Sequence, residues 1–201
     1  LQDWMSIERS ITRQDFVVII GVDEAGRGPW AGPVVAAACV LTDTDFNNRI
    51  DDSKKLTVLQ RERAFDEVVA KSLYGLGVVN EKIIDRINIL EATKVAMSQA
   101  VRELTRRNPF DRLKRVHVIV DGNARFDTQY PCTPIVGGDA CSLSIACASI
   151  LAKVARDRMM SLYDRVYPGY GFSQHKGYPT KKHRDAIRSL GATDIHRTTF
   201  L

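Results

Sequence analysis

The sequence lacks several features that would assign it to large classes of protein. No apolar run approaches the roughly 18 residues needed to span a bilayer, and the first residues lack the basic and apolar regions of a signal peptide. The four cysteines contain no Cys-x-x-Cys pair, so neither a disulfide framework nor a paired-thiol metal site is indicated. The phosphate-binding pattern GxxxxGK[ST] is also absent. We therefore expect a cytoplasmic protein with reduced thiols, without a membrane segment or a P-loop.

The positive charge is unevenly distributed along the chain. The net charge is +5, but residues 1–150 contain 19 Lys and Arg against 20 Asp and Glu, whereas residues 151–201 contain 10 against 4. Solvated helix faces alone produce such an excess in many proteins. The alternative is a surface that faces a polyanion such as nucleic acid. With 201 residues, 44% of them hydrophobic, the chain is long enough for one globular domain with a sizeable core.

Strands and helices alternate along the sequence. Runs rich in β-branched residues predict strands over residues 16–22, 34–41, 72–79, 115–120 and 132–136. Helices are predicted after a Thr57 cap, over 81–106, over 142–166, which is rich in small residues, and after a Thr180 cap. This alternation predicts an α/β fold in one domain, residues 1–201. Its sheet-and-helix core ends at about residue 165, and a basic helical C-terminal part covers about residues 166–201.

The helix over residues 81–106 is predicted from apolar residues at helical spacing. They are Ile84, Ile87, Leu90, Val95, Val101 and Leu104. The spacing is irregular near Asn88, which indicates a break in the helix at that point.

Four acidic residues stand at the ends of predicted strands or beside a predicted helix. Asp23 and Glu24 end the first strand, Asp121 ends the fourth, and Asp139 precedes the small-residue helix. Each of them alone is most often a turn or capping residue. Ligand sites in open α/β sheets form beyond strand ends, where loops converge, and gathered carboxylates are natural ligands of hard divalent cations. The joint placement therefore indicates a site for Mg²⁺ or Mn²⁺.

Five ordered motifs resemble those of type 2 ribonuclease H, the ribonuclease HII family. They are Gly21-Val22-Asp23-Glu24-Ala25-Gly26-Arg27-Gly28-Pro29, Asp52-Ser53-Lys54-Lys55-Leu56, Val120-Asp121-Gly122-Asn123, Gly138-Asp139 followed by Ala148-Ser149-Ile150-Leu151-Ala152-Lys153-Val154-Ala155-Arg156-Asp157, and His175-Lys176-Gly177-Tyr178. The likeness spans about residues 17–200. It implies a ribonuclease H-like fold, with a central mixed β-sheet flanked by helices and a helical C-terminal part.

The resemblance also implies a metal-dependent endonuclease. Its four-carboxylate centre maps onto Asp23, Glu24, Asp121 and Asp139, which would be both the catalytic and the metal-binding residues and would hold two ions, Mg²⁺ or Mn²⁺. The implied reaction hydrolyses the RNA strand of RNA–DNA hybrids and cuts 5′ of ribonucleotides embedded in duplex DNA, leaving 5′-phosphate and 3′-hydroxyl ends. The implied partners are these two nucleic acids, and we expect a monomeric enzyme that supports ribonucleotide removal from DNA.

Substrate contacts are implied in the same way. Gly26 and Gly28 lack side chains, so backbone groups there could approach a ribose 2′-hydroxyl, while Arg27 could hold a phosphate. Tyr178 is assigned to the sugar that follows the ribonucleotide. The basic residues suited to phosphate contacts are Lys54, Lys55, Lys153, Arg156, Lys176, Lys181, Lys182 and Arg184. Without the resemblance, the same residues describe a flexible loop, an ordinary aromatic and solvent-exposed cations. Cys141 departs from the family pattern, because a polar residue, commonly Lys, is usual there.

Three other functions compete on the residues alone. A nucleic-acid-binding module without catalysis would keep the basic C-terminal part, but it does not need four carboxylates at strand ends. A nucleotide-binding switch or phosphotransferase would have only the weak glycine pattern Gly75-Leu76-Gly77 as its phosphate loop. A different metal nuclease of the same broad fold, such as a junction resolvase, is excluded only by the ordered motifs outside the four acids.

Overall fold

The computed structural model describes residues 3–13, 18–110, 115–123 and 125–201. Its centre is a five-stranded sheet with the order β3-β2-β1-β4-β5. The strands are β1 (Val18–Ala25), β2 (Val34–Leu41), β3 (Ser72–Val79), β4 (Val116–Asp121) and β5 (Cys132–Ile135). The β1–β2 and β2–β3 pairs are antiparallel, whereas β1–β4 and β4–β5 are parallel. The predicted mixed sheet is confirmed, although Phe16 and Val17 of the first predicted strand lie outside the described residues.

The described residues form six α-helices. They are α1 (Ser6–Thr12), α2 (Val58–Ala70), α3 (Glu81–Arg107), α4 (Leu143–Val166), α5 (Phe172–His175) and α6 (Lys181–Leu190). The predicted caps are confirmed, because Thr57 and Thr180 accept hydrogen bonds from the N–H groups of Gln60 and His183, at 3.3 and 3.2 Å. The sequence did not predict α1 or α5, which are too short to carry a periodic pattern. No helix among the described residues is both long and apolar enough to cross a membrane.

The α3 helix covers one face of the sheet and approaches β3 closely. A Cβ atom added to Gly77 would lie 1.9 Å from the carbonyl oxygen of Ala96, and one added to Gly75 would lie 2.3 Å from that of Ala100. Only residues without side chains permit this approach. Gly75 and Gly77 are therefore packing positions rather than parts of a phosphate loop.

A break at Asn88 divides α3, as predicted. The residue has φ 64° and ψ 167°, and its Oδ1 accepts hydrogen bonds from the N–H groups of Leu90 and Glu91 at 2.9 and 3.1 Å. It thereby caps the second half of the helix. Leu90 and Val95, which belong to the apolar spacing that predicted the helix, are 43% and 38% exposed. The break changes which residues face the sheet, and the second half is buried through small residues that include Ala92, Ala96 and Ala100.

The opposite face of the sheet is covered by α2 and α4. Along β2, Ala36 and Ala38 pack with the α3 side, whereas Ala37 and Cys39 pack with α2 and α4. A Cβ atom added to Gly21 would lie 2.3 Å from the carbonyl carbon of Ser144 in α4. The small-residue helix therefore lies directly against β1, as its composition predicted.

The N-terminus of α4, whose N-cap is Ser142, is also bound by a residue of α1. Glu8 of α1 accepts hydrogen bonds at its Oε1 from the hydroxyl of Ser142 (2.6 Å) and from the N–H and hydroxyl of Ser144 (3.0 and 2.8 Å). A carboxylate at this position also interacts favourably with the helix dipole. The contact fixes α1 to the segment that follows Asp139.

Candidate active site

Two parallel strands bring two of the predicted acidic residues to the same edge of the sheet. The register of the β1–β4 pair ends one residue before Asp23 and Asp121, so both follow at the carboxyl ends of neighbouring strands. Asp139 joins them from the 3₁₀ turn Gly138–Ala140, which follows β5. Carboxylate oxygens of Asp23, Asp121 and Asp139 lie within 4.8 Å of one another. The N–H of Asp139 also donates a 3.4 Å hydrogen bond to Oδ1 of Asp121, which ties the turn to β4.

Burial and mutual repulsion disfavour the charged form of this carboxylate cluster. Asp23 is 3% exposed, and burial, followed by the charges of Glu24 and Asp121, raises its pKa well above the ordinary value. A hydrogen bond from Ser149 of α4 opposes that rise. Burial, followed by the charge of Asp121, also raises the pKa of Asp139. A bound cation would relieve the repulsion and favour the charged carboxylates.

Glu24 does not belong to the group whose carboxylate oxygens lie within 4.8 Å of one another. Successive residues of a strand point to opposite faces of the sheet, so Glu24 cannot share the direction of Asp23. Its Oε1 is 3.4 Å from Nη1 of Arg27, and its side chain lines the same opening as Asp23 and Asp121. Burial raises the pKa of Glu24, although the charge of Arg27 opposes this. The structure thus gathers three of the four predicted carboxylates, with the fourth beside them.

Of the two predicted lysines in the loop before α2, one faces the acids. The Nζ of Lys54 is 3.6 Å from Oδ2 of Asp139, and its side chain is 75% exposed. Burial lowers the pKa of Lys54, but the charges of Asp52 and Asp139 outweigh it and raise that pKa above its ordinary value. Lys55 instead pairs with Asp51, at 3.4 Å. Of these two lysines, Lys54 is therefore the one that lies beside the cluster.

The glycine loop (residues 26–33) connects β1 to β2 and is held by a buried arginine that the sequence did not reveal. Arg197 is 0% exposed. It donates hydrogen bonds to the carbonyl oxygens of Gly26 (2.6 Å), Arg27 (2.9 Å) and Gly32 (2.7 and 3.0 Å). Its partners lie 165 to 171 positions away, so no local pattern could indicate the contact.

A second arginine holds the other end of the glycine loop. Arg156 donates to the carbonyl oxygens of Pro33, Lys176 and Ala31 at 2.9, 3.0 and 3.1 Å. The prediction of an exposed phosphate contact is wrong for this residue, since its side chain is 1% exposed. A Cβ atom added to Gly26, whose φ is +100°, would lie 2.1 Å from Nε of Arg156. Both the backbone conformation and the packing therefore require glycine at position 26.

Tyr178 lies across from the glycine loop. Its side chain is 42% exposed, and a Cβ atom added to Gly28 would lie 3.7 Å from Cε1 of its ring. Gly28 and Tyr178 line the opening that also contains Asp23 and Asp121. The structure thus brings the predicted loop and the predicted tyrosine together.

Two neutral histidines hold the backbone of Tyr178. The N–H of Thr193 donates to Nδ1 of His196 at 2.8 Å, so in the neutral ring Nε2 of His196 carries the proton. This Nε2 is 3.0 Å from Nε2 of His183, whose Nδ1 is 2.9 Å from the carbonyl oxygen of Tyr178. Nε2 of His196 can therefore donate to Nε2 of His183, and Nδ1 of His183 can donate to the carbonyl oxygen of Tyr178. Burial lowers the pKa of His183 to about 4, which keeps the ring neutral.

The lysines of the basic C-terminal part differ in their availability. Lys153 pairs with Oδ1 of Asp157 at 2.6 Å, and Nζ of Lys176 donates to the carbonyl oxygen of Asp157 at 3.2 Å. Lys181 and Lys182 are exposed on the first turn of α6. Of these four predicted phosphate contacts, the two on α6 are the most accessible.

The opening between the carboxylate cluster, the glycine loop and Tyr178 has a volume of about 500 Å³. Its lining residues include Asp23, Glu24, Gly26, Arg27, Gly28, Lys54, Asp121, Lys153 and Tyr178. The lining thus combines carboxylates with the exposed cations Arg27 and Lys54. Such an arrangement can bind hard divalent cations and a phosphate group next to each other.

Comparison with known proteins agrees with this site. The ribonuclease HII family model matches residues 20–201. The ribonuclease HII of Geobacter sulfurreducens is 49% identical over 96% of this chain and 86% of its own length, and that of Ruminiclostridium cellulolyticum is 48% identical over 100% of this chain and 76% of its own.

A solved structure agrees with the fold. The RNase HII of Archaeoglobus fulgidus, determined as a PCNA:RNase HII complex, has a TM-score of 0.73 and 24% identity over 92% of this chain and 96% of that one. This likeness confirms the predicted ribonuclease H-like fold. The family match and the two curated relatives show that the chain belongs to the ribonuclease HII family of ribonuclease H endoribonucleases, which cut the RNA strand of RNA–DNA hybrids.

Proposed function

We propose that this endoribonuclease, besides cutting hybrids, cuts duplex DNA on the 5′ side of an embedded ribonucleotide and leaves 5′-phosphate and 3′-hydroxyl ends. One observation supports the proposal above the others. Asp23 and Asp121 of the carboxylate cluster line the same opening of about 500 Å³ as the glycine loop and Tyr178. Chemistry on a phosphodiester and inspection of the adjoining sugars can therefore occur together.

We propose that Asp23, Glu24, Asp121 and Asp139 hold two divalent ions, Mg²⁺ or Mn²⁺. All four offer carboxylate oxygens, which these hard cations prefer. The raised pKa of Asp23 supports the fit, because a bound cation would compensate both the burial and the repulsion by Glu24 and Asp121 that raise it. When bound, two such ions supply an activated water and stabilise charge on the phosphoryl and leaving oxygens.

The side chains around the cluster would position the substrate. Lys54 and Arg27, 75% and 54% exposed, can donate charge-assisted hydrogen bonds to phosphate oxygens. The backbone of Gly26–Gly28 would meet the ribose 2′-hydroxyl, the group that separates RNA from DNA. The ring of Tyr178 would lie against the next sugar and favour deoxyribose. Together these contacts would select the step from ribonucleotide to deoxyribonucleotide.

We further propose that residues 1–201 act as one catalytic domain, since Arg197 of the C-terminal part is hydrogen-bonded to the glycine loop. Exposed Lys181 and Lys182 would bind the phosphate backbone of the nucleic acid. Lys153 and Lys176 would contribute less, because both are partly buried and are bound to Asp157. The monomeric state and the cytoplasmic location stay predictions from the sequence.

The test uses three labelled duplexes of one sequence: all-DNA, DNA with a single ribonucleotide, and a full RNA–DNA hybrid. With Mg²⁺ or Mn²⁺ we expect cutting of the last two, at the 5′ side of the single ribonucleotide, and no cutting with a chelator. End analysis should find 5′-phosphate and 3′-hydroxyl termini. Equal cutting of the all-DNA duplex, or cutting 3′ of the ribonucleotide, would contradict the proposal.

A further inference from the structure

Arg197 is a buried cation whose hydrogen bonds all go to backbone oxygens. Its guanidinium donates four times, to three carbonyl groups of the glycine loop. Within the part of the chain that the structure describes, Arg197 forms no ion pair with a carboxylate. Burying an unpaired charge is costly, so the carbonyl contacts are its main compensation. Burial, followed by the charge of Arg156, lowers the pKa of Arg197 to about 10, so the group is charged at neutral pH.

These contacts fix the direction of two peptide groups in the glycine loop. In a trans peptide the C=O of one residue and the N–H of the next point in opposite directions. Because Arg197 binds the carbonyl oxygens of Gly26 and Arg27, the N–H groups of Arg27 and Gly28 point away from the guanidinium. Neither N–H has a hydrogen-bond partner among the described residues, and both residues line the opening beside Asp23. Two free backbone donors therefore remain at the edge of the site.

We propose that Arg197 is a positioning residue for substrate discrimination: its guanidinium turns the glycine-loop carbonyls inward so that the Arg27 and Gly28 amides are presented to the 2′-oxygen of the ribonucleotide. This inference rests on the proposed function, because that function includes the discrimination of ribose from deoxyribose by the glycine loop. Arg197 does not touch the substrate in this scheme and acts through the backbone.

The planar fork of arginine suits this task, and lysine does not replace it. Three carbonyl groups are bound by one rigid group with donors in fixed directions, whereas a lysine ammonium is a compact point donor on a flexible stem. The segment that carries Arg197 is itself anchored, since Thr198 and Thr199 donate through N–H and hydroxyl groups to both carboxylate oxygens of Asp85, at 2.6 to 3.1 Å. The guanidinium carbon also lies 5.1 Å from the centre of the Phe200 ring.

Arg156 performs a different task and serves as a structural comparison. It binds the carbonyl oxygens of Ala31 and Pro33, at the far end of the loop. Among the described residues, Arg156 donates no hydrogen bond to the carbonyl groups of Gly26 or Arg27, although its side chain packs against Gly26. The direction of the two free amides is therefore assigned to the hydrogen bonds of Arg197.

The test compares Arg197→Lys with Arg188→Lys, the same change at a 79% exposed position on α6. Single-turnover cleavage is measured on duplexes that differ only at one sugar, which carries a 2′-hydroxyl, a 2′-fluorine or a 2′-hydrogen. For Arg197→Lys we expect cleavage at the ribonucleotide to fall by about 10- to 100-fold, as small misplacements in an active site do, and the preference for 2′-hydroxyl over the other two sugars to shrink. Mn²⁺ affinity by calorimetry should stay unchanged, because the carboxylate cluster is untouched. Arg188→Lys should behave as the parent protein.

The outcomes separate this inference from the proposed function. If the parent protein does not cut at the single ribonucleotide, the proposed function fails. If the parent protein cuts there and Arg197→Lys keeps the same sugar preference, the positioning role is overturned. A parallel loss of Mn²⁺ affinity would also overturn it, since it would show a general loss of structure.

A measurement on the unmutated protein covers the case in which Arg197→Lys does not fold. In ¹⁵N-labelled protein with Ca²⁺, the amide signals of Arg27 and Gly28 should shift differently with ribonucleotide-containing and all-DNA duplexes. The side-chain N–H protons of Arg197 should exchange with water far more slowly than those of Arg188. Equal exchange rates, or identical shifts with both duplexes, would refute the inference.

Discussion

Replacing Gly28 with alanine adds one methyl group to the surface that faces Tyr178, and the protein itself has room for it. The new Cβ atom would lie 3.7 Å from Cε1 of Tyr178, an ordinary van der Waals distance. We therefore expect the free energy of unfolding to change by no more than about 0.5 kcal/mol, and the melting temperature by about 1 to 2 °C. The methyl group would occupy the space that the proposed ribonucleotide sugar needs. Displacing that sugar by about 1 Å should reduce single-ribonucleotide cleavage on the order of 100-fold.

Gly26→Ala is the matched comparison, because here the folded protein has no room. The residue has φ +100°, and its Cβ atom would lie 2.7 Å from the carbonyl oxygen of Pro33 as well as 2.1 Å from Nε of Arg156. Backbone strain and overpacking should together destabilise the protein by about 2 to 4 kcal/mol, or roughly 5 to 15 °C in melting temperature. Both variants are measured by thermal denaturation and by single-turnover cleavage of the single-ribonucleotide duplex. The reasoning is refuted if Gly28→Ala cuts at the parent rate, or if Gly26→Ala melts with the parent protein.

Three further predictions follow from the site and its surroundings. Asp121→Asn should lower Mn²⁺-dependent cleavage by at least about 10- to 100-fold, the loss that mutations of the outer partners of metal ligands typically cause, while binding of the hybrid persists. Asp66→Asn, at an exposed position, is the control. Near-normal turnover of Asp121→Asn would argue against a ligand role. Replacing Lys181 and Lys182 together by alanine should flatten the slope of log affinity against log salt by about one to two units, measured in Ca²⁺. The cleavage position should stay unchanged. An unaltered slope would mean that these lysines are only solvent-exposed residues of α6. His183 is neutral in the folded protein with a pKa of about 4, whereas the unfolded chain takes up a proton near pH 6.5. The contribution of neutral His183 to the free energy of unfolding is therefore present above pH 6.5 and is lost as the pH falls from there to about 4. In denaturant titrations, the free energy of unfolding of the parent protein should fall more steeply over this interval than that of His183→Gln.

Local sequence patterns were sufficient to predict most of the sheet and the position of three carboxylates. Asp23 and Asp121 directly follow apolar runs, so strand prediction also fixed where these side chains would lie. Asp139 could be assigned because it precedes a helix whose small residues require contact with the sheet. The different direction of Glu24 follows from the alternation of side chains along a strand, which the motif alone does not express.

What the sequence did not reveal depends on contacts between distant residues. Arg156 was predicted to be suited to a phosphate contact because it is basic, but its neighbours in sequence do not include the carbonyl groups that it binds. Leu90 and Val95 continue an apolar spacing in the sequence, yet they are 43% and 38% exposed, because Asn88 changes the register between the two helical halves. For Arg156 the deciding partners lie 123 and 125 positions away in the sequence.

The contact between Arg197 and the glycine loop also affects the order in which parts of the structure form during synthesis and folding. The carbonyl group of Arg27 and the guanidinium of Arg197 are separated by 170 positions in the sequence. This is among the longest loops that one contact can close in a chain of 201 residues. Contacts between such distant positions form late in folding, because the entropy of closing the intervening chain must be overcome first. A chain still being synthesised that has not reached residue 197 contains all five strands, Asp23, Asp121 and Asp139, but its glycine loop lacks this support. Discrimination between sugars would thus be acquired only when synthesis is nearly finished, after the hydrolytic residues are already present.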